Sequence, residues 1–190
     1  MSLQHEIDKI RQQIRTDSYS MSIGEWISLY EKSEINVNPD FQRFFRWSNH
    51  QKSTFIESIL VGIPIPPIFV SQRDDGIWDV VDGVQRLSTI YEFVGILKKD
   101  ESEKDESENN AHPVALQKTI YLASLEGKKW DDPNDRDNSF TPTQRLLIKR
   151  SKIAVNIVEK ESDKMIKYEL FQRLNTGGSI SLATTGIISD

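Results

Sequence analysis

Residues 78–91 read WDVVDGVQRLSTIY. An apolar, β-branched run reaches Asp82 and Gly83, and the polar pair Gln85 and Arg86 follows. Leu87, Ile90, Tyr91, Val94 and Leu97 then fall on one helical stripe. The change of period at Gly83 predicts a strand that turns directly into a helix. The first N–H groups of a helix have no intrahelical partner and carry partial positive charge. Such a turn can therefore hold an anion. Gly83 would let a ligand approach the backbone, Arg86 offers a planar fork of donors suited to phosphate, and Gln85 or Asp82 could orient a water. The plainer alternative is a capped helix, with Asp82 as the cap and Arg86 paired on a polar surface.

The stretch upstream supports a strand before this turn. In IFVSQRDDGIWDVV, residues 68–81, two extended runs flank an aspartate-glycine pair, the pattern of a β-hairpin. The prolines of IPIPP, residues 63–67, keep that segment extended and outside a sheet interior. Before it, Ser48 and Gln51 form a capping-box pattern ahead of a helix with Phe55, Ile56, Ile59 and Leu60 on one face, and Gly62 is placed to stop it. Ser22 and Glu25 make the same pattern ahead of Ile23, Trp26, Ile27 and Tyr30. Leu3, Ile7, Ile10 and Ile14 predict an N-terminal helix within residues 1–17. Downstream, VALQKTIYLASL reads equally as strand or helix. Thr141 and Pro142 open another helix, KIAVNIV alternates as a strand, and Ser162 is expected to cap a last helix that ends at NTGG. Helices and a small sheet without regular βαβ repetition give the class α+β.

Composition narrows the chemistry. The chain of 190 residues suits one domain, here residues 18–190 after the N-terminal helix. It has no cysteine, which removes disulfides and thiolate chemistry and agrees with a cytoplasmic setting. Its three histidines, His5, His50 and His112, are scattered, so neither a zinc site nor a paired-histidine nuclease motif is expected. No apolar run nears the roughly 18 residues of a membrane helix. The net charge of −5 is concentrated in KDESEKDESENN, residues 99–110, which holds six acids and two lysines. That stretch has no apolar residue, so a mobile acidic loop is expected over 99–112. The remainder is near neutral and free to carry a basic patch.

Two further segments hold polar groups in suggestive order. PDFQRFFRW, residues 39–47, places Arg43 and Arg46 among aromatics, either as phosphate or base donors supported by Phe41 or Trp47 or as snorkelling side chains of an edge strand. FQRLNTGG, residues 171–178, ends in a glycine pair that makes either an N–H nest or an ordinary helix stop.

Taken in order, PDFQRFFRW, DGVQRLSTI and FQRLNTGG, with ESILVGIPIPPIFV between the first two, resemble the N-terminal domain of the GmrSD family of modification-dependent DNA restriction enzymes. The likeness spans about residues 18–178. It implies a ParB/sulfiredoxin-like fold, a small mixed sheet with surrounding helices, whose corresponding turn binds nucleotide phosphates. It implies catalytic roles for Asp82, Gln85 and Arg86. It also implies nucleotide contacts from Gln42, Arg43, Arg46, Gly83, Arg173, Asn175, Thr176 and Gly177. The expected ligand is a nucleoside triphosphate with Mg²⁺, and the expected role is a nucleotide-binding, nucleotide-hydrolysing regulatory domain of phage defence. The alternative is a non-catalytic DNA-binding module using FQRFFRW and QRLLIKRSK. The family's motif is Asp-Gly-Gln-Gln-Arg; here Val84 replaces the first glutamine, and the cysteine that sulfiredoxin chemistry needs is absent. The family's histidine-containing nuclease region has no counterpart here, so DNA cleavage is expected from a separate domain or chain.

Overall fold

A computed structural model describes residues 2–37, 47–98, 114–160, 162 and 164–175. The acidic stretch 99–112 lies outside the described residues, as do 38–46. The class is α+β. Five strands form one mixed sheet in the order β1-β5-β3-β4-β2: β1 (Thr16–Ser22), β2 (Ile35–Asn36), β3 (Ile68–Gln72), β4 (Trp78–Asp82) and β5 (Lys152–Val158). The helices are α1 (Leu3–Arg11), α2 (Ile23–Glu31), α3 (Asn49–Val61), α4 (Val84–Val94), α5 (Pro142–Arg150) and α6 (Lys164–Asn175).

Local chemistry sets most boundaries. α2, α3 and α5 each open on a full capping box: Ser22 with Glu25, Ser48 with Gln51, and Thr141 with Gln144. In each, a hydroxyl accepts from the third backbone N–H and the side chain there returns a bond to the cap. α3 stops at Gly62, whose φ of 78° is the left-handed conformation that a glycine adopts at little cost. β3 and β4 form the expected hairpin, closed by Arg73 N–H donating to the Ile77 carbonyl at 2.9 Å.

Alternation along the strands sorts residues between two faces. Ile68, Val70, Val80, Ile153, Val155 and Ile157 join the main core with Trp26, Ile56, Leu87 and Ile90. Val81 and Val158, of opposite parity, are buried outside that cluster, and α6 packs beside β4. Tyr91 stacks on Tyr30 with ring centroids 4.2 Å apart and donates its hydroxyl to the Trp26 carbonyl at 3.1 Å. Burial pushes that hydroxyl well above the ordinary tyrosine range.

Three elements differ from the sequence reading. β1 is a strand although five of its seven residues are polar, because it pairs along its whole length with β5 as the sheet's outer edge. The ambiguous stretch after residue 113 is neither strand nor helix beyond one 3₁₀ turn at Ala123–Leu125. Its course is fixed by Glu57, a buried carboxylate on α3. Glu57 accepts the Thr119 hydroxyl at 2.5 Å and the N–H groups of Tyr121 and Leu122, each at 2.8 Å. Burial raises the carboxyl's proton affinity, but these bonds together outweigh it and hold its pKa below the ordinary range. Ser162, expected to cap α6, instead clamps the chain near its start: its hydroxyl accepts from Arg15 N–H and donates to the Arg15 carbonyl.

Candidate functional site

The turn from β4 into α4 follows the sequence reading. β4 ends on Asp82, Gly83 is the cap residue, and Val84 begins the helix. Gly83 has φ of 98°, and no side chain caps the helix. The glycine has a packing reason as well. A Cβ there would lie 2.3 Å from Cδ1 of Ile68 and 3.2 Å from an Arg86 nitrogen. Glycine is thus required by left-handed backbone and by the neighbouring strand, before any ligand is considered.

Arg86 is not the free surface donor that the sequence suggested. Its side chain is 11% exposed and holds Asp82 Oδ2 at 2.7 Å. One guanidinium nitrogen also donates to the carbonyls of Pro66 and Pro67, the latter at 3.1 Å. The proline segment has carbonyls without ladder partners, and Arg86 supplies their donor. Arg86 stitches the proline segment, the end of β4 and the first turn of α4 into one unit.

Gln85 joins a second motif to this unit. Its Oε1 accepts the backbone N–H of Trp47 at 3.0 Å. Trp47 closes the PDFQRFFRW segment, and its ring packs edge-on against Phe55 with centroids 5.5 Å apart. The chain thus enters α3 directly beside the start of α4. Gln42, Arg43 and Arg46 lie in the stretch outside the described residues. α6, which carries the third motif, packs beside β4, the strand that ends on Asp82. Arg173 on α6 is exposed and paired with Glu169 at 2.9 Å, and Asn175 closes the helix. Thr176 and Gly177 lie outside the described residues.

So Asp82, Gly83, Gln85 and Arg86 form one unit with Trp47 attached. Asp82, 41% exposed, is the most accessible charged group in it. The partners Pro66, Pro67 and Ile68 escaped the sequence reading. Their only signal was the proline cluster, read there as extended chain.

The order of these segments is also a family signature. The model of the GmrSD restriction endonuclease N-terminal domain matches residues 24–183. The chain belongs to that family. The match covers all three segments and the proline run between them, so this GmrSD domain owns the β4–α4 turn as part of its family body. Neither a curated protein nor a solved structure matches the chain. Among the described residues, no helix is long and apolar enough to cross a membrane.

Proposed function

We propose that this GmrSD domain is a nucleotide-binding regulatory domain of a DNA restriction system, with the phosphates of a nucleoside triphosphate seated at the N-terminus of α4. One observation supports the reading: α4 begins on a glycine with no side-chain cap, directly after a strand, and uncapped first N–H groups of this kind can bind an anion. Backbone donors and the helix dipole do the binding. Arg86 acts as a positioning residue, since its fork is occupied by Asp82 and the two proline carbonyls. In this reading Asp82 and the remaining amide donor of Gln85 orient the water that attacks the terminal phosphate.

Mg²⁺ fits this arrangement. Among the described residues, no three histidine, aspartate or glutamate side chains gather as a metal site. Mg²⁺ bound with a nucleotide needs fewer, because one or two carboxylates and the phosphates commonly hold it. Asp82 is the carboxylate available, and the ion would neutralise charge on the phosphates. DNA cleavage is assigned to a partner nuclease domain or chain, which nucleotide state would regulate.

Gln85→Glu tests the phosphate seat. The substitution keeps an acceptor for Trp47 N–H and places a negative charge in the first turn. That charge favours the helix and repels phosphate. Calorimetric titration with ATP, GTP and CTP in Mg²⁺ is expected to show binding of at least one nucleotide by the wild type. The variant should bind that nucleotide at least about tenfold more weakly, which corresponds to about 1.4 kcal/mol, with no loss of melting temperature. Equal affinity in the two proteins, or no binding by the wild type, overturns the reading.

A second reading, a DNA-binding module, is favoured by one surface. Lys149 and Arg150 in the last turn of α5 and Lys152 at the start of β5 are all exposed. Arg145 is excluded from that set, because it holds Asp131 and the carbonyls of Trp130 and Phe140. Replacing the three exposed cations by alanine should flatten the salt dependence of duplex DNA affinity if this surface contacts phosphates.

A further inference from the structure

α1 is a helix whose apolar stripe is left uncovered among the described residues. Ser2 caps it, and none of its residues is buried. Leu3 is 73% exposed, Ile7 39%, Ile10 46% and, just beyond its end, Ile14 37%. A helix of nine residues is marginal in water by itself, so the face calls for a cover. Its base is fixed: Ser162 and the Glu159 N–H hold the backbone of Arg15.

The spacing of the stripe says what kind of cover. The intervals of four, three and four between Leu3, Ile7, Ile10 and Ile14 are those of a short coiled-coil seam. Ile7 and Ile14 take the a positions, and Leu3 and Ile10 the d positions. The flanks are then determined: Glu6 is at g and Arg11 at e, five residues later. In a parallel pair of helices in register, a g residue meets the e residue five positions on in the other helix. One acid and one base at this interval make the helix complementary to a copy of itself. A two-fold pair satisfies the match twice.

We propose that α1 is a self-association helix: two copies of this chain pair in parallel through Leu3, Ile7, Ile10 and Ile14, with Glu6 of each copy against Arg11 of the other. Helicity extends toward Ile14 when the seam forms. The seam is short, so the dimer is reversible and concentration-dependent. It is independent of the nucleotide reading.

Sedimentation of the full chain from about 5 to about 500 μM, a span of about 2.7 kcal/mol in free energy, tests the pairing. The dimer fraction should rise across that range. Ile7→Glu with Ile10→Glu should leave a monomer throughout, with the melting temperature at low concentration unchanged because neither residue is buried. Glu6→Arg should weaken dimerisation several-fold, and Glu6→Arg with Arg11→Glu should restore it. The chain has no cysteine, so Leu3→Cys gives a clean register probe. In the parallel pair the two introduced thiols face each other, and oxidation yields a linked dimer. A wild type that is monomeric at every concentration overturns the proposal and assigns the stripe to a different partner. A dimer indifferent to the isoleucine substitutions, unrestored by the charge exchange, or not linked through Leu3→Cys also overturns it.

Discussion

Four helix starts in this domain are built in two ways. α2, α3 and α5 begin with a hydroxyl residue answered three positions on by Glu25, Gln51 or Gln144. α4 begins with Gly83, which has no side chain to cap its first N–H groups. The three capped starts follow from the local sequence alone. The fourth is held by distant groups: Ile68 leaves no room for a Cβ, Arg86 ties Asp82 to two proline carbonyls, and Gln85 reaches Trp47. A start closed by a capping box has its third N–H already taken by its own hydroxyl. One that is fixed from outside places no cap hydroxyl on its first N–H groups, which is what the proposed anion seat requires.

The comparison is broken most severely at Gly83. Gly83→Ala combines a left-handed backbone with a 2.3 Å clash, and a loss of about 2–5 kcal/mol is expected from these two costs. Adding Ile68→Val, which removes the clashing methyl, should recover part of it in denaturant titrations. No recovery would show that backbone strain alone decides the position. Next comes Arg86→Ala, which strands a carboxylate and two carbonyls. A loss of about 1.5–3 kcal/mol is expected, and a change below about 0.5 kcal/mol would mean that the stitch is not what fixes this start.

The capped starts should respond more gently. Ser48→Ala and Thr141→Ala are each expected to cost about 1 kcal/mol, measured as shifts in denaturation midpoint at constant slope. The smallest effect separates α2 from the others by pH. Hydrogen bonds from the Ser22 side chain and backbone hold the Glu25 carboxyl below its ordinary pKa. A carboxyl lowered in the folded state stabilises fully above its unfolded pKa, and that contribution fades as pH falls through the folded value. Glu25→Gln should flatten stability against pH in the acid range. The glutamines at the same position in α3 and α5 do not titrate, so their caps give no such slope.

Legibility followed the range of the interaction. Capping boxes, the Asp75-Gly76 hairpin turn and the switch of period at Gly83 act within a few residues, so the sequence carried α2, α3, α4, α5, β3, β4 and β5. β1 was missed because Thr16–Ser22 lacks an apolar pattern; its strand state comes from pairing with β5, more than a hundred residues away. The stretch after residue 113 looked like either regular element because its apolar residues are dense. Glu57, in another helix, takes its N–H groups and holds it irregular.

At the candidate site the division is the same. The sequence by itself determined that a strand turns into a helix at Asp82-Gly83 with Gln85 and Arg86 at the mouth, because backbone freedom and hydrophobic period are local properties. Only the tertiary structure decided what those side chains do. Arg86 faces inward because the carbonyls of Pro66 and Pro67, twenty and nineteen residues away in the chain, lie within reach of its fork. Gln85 reaches back to Trp47, thirty-eight residues earlier. A guanidinium goes where its donors are satisfied, and the partners that satisfy it are brought there by the packing of β3 beside β4.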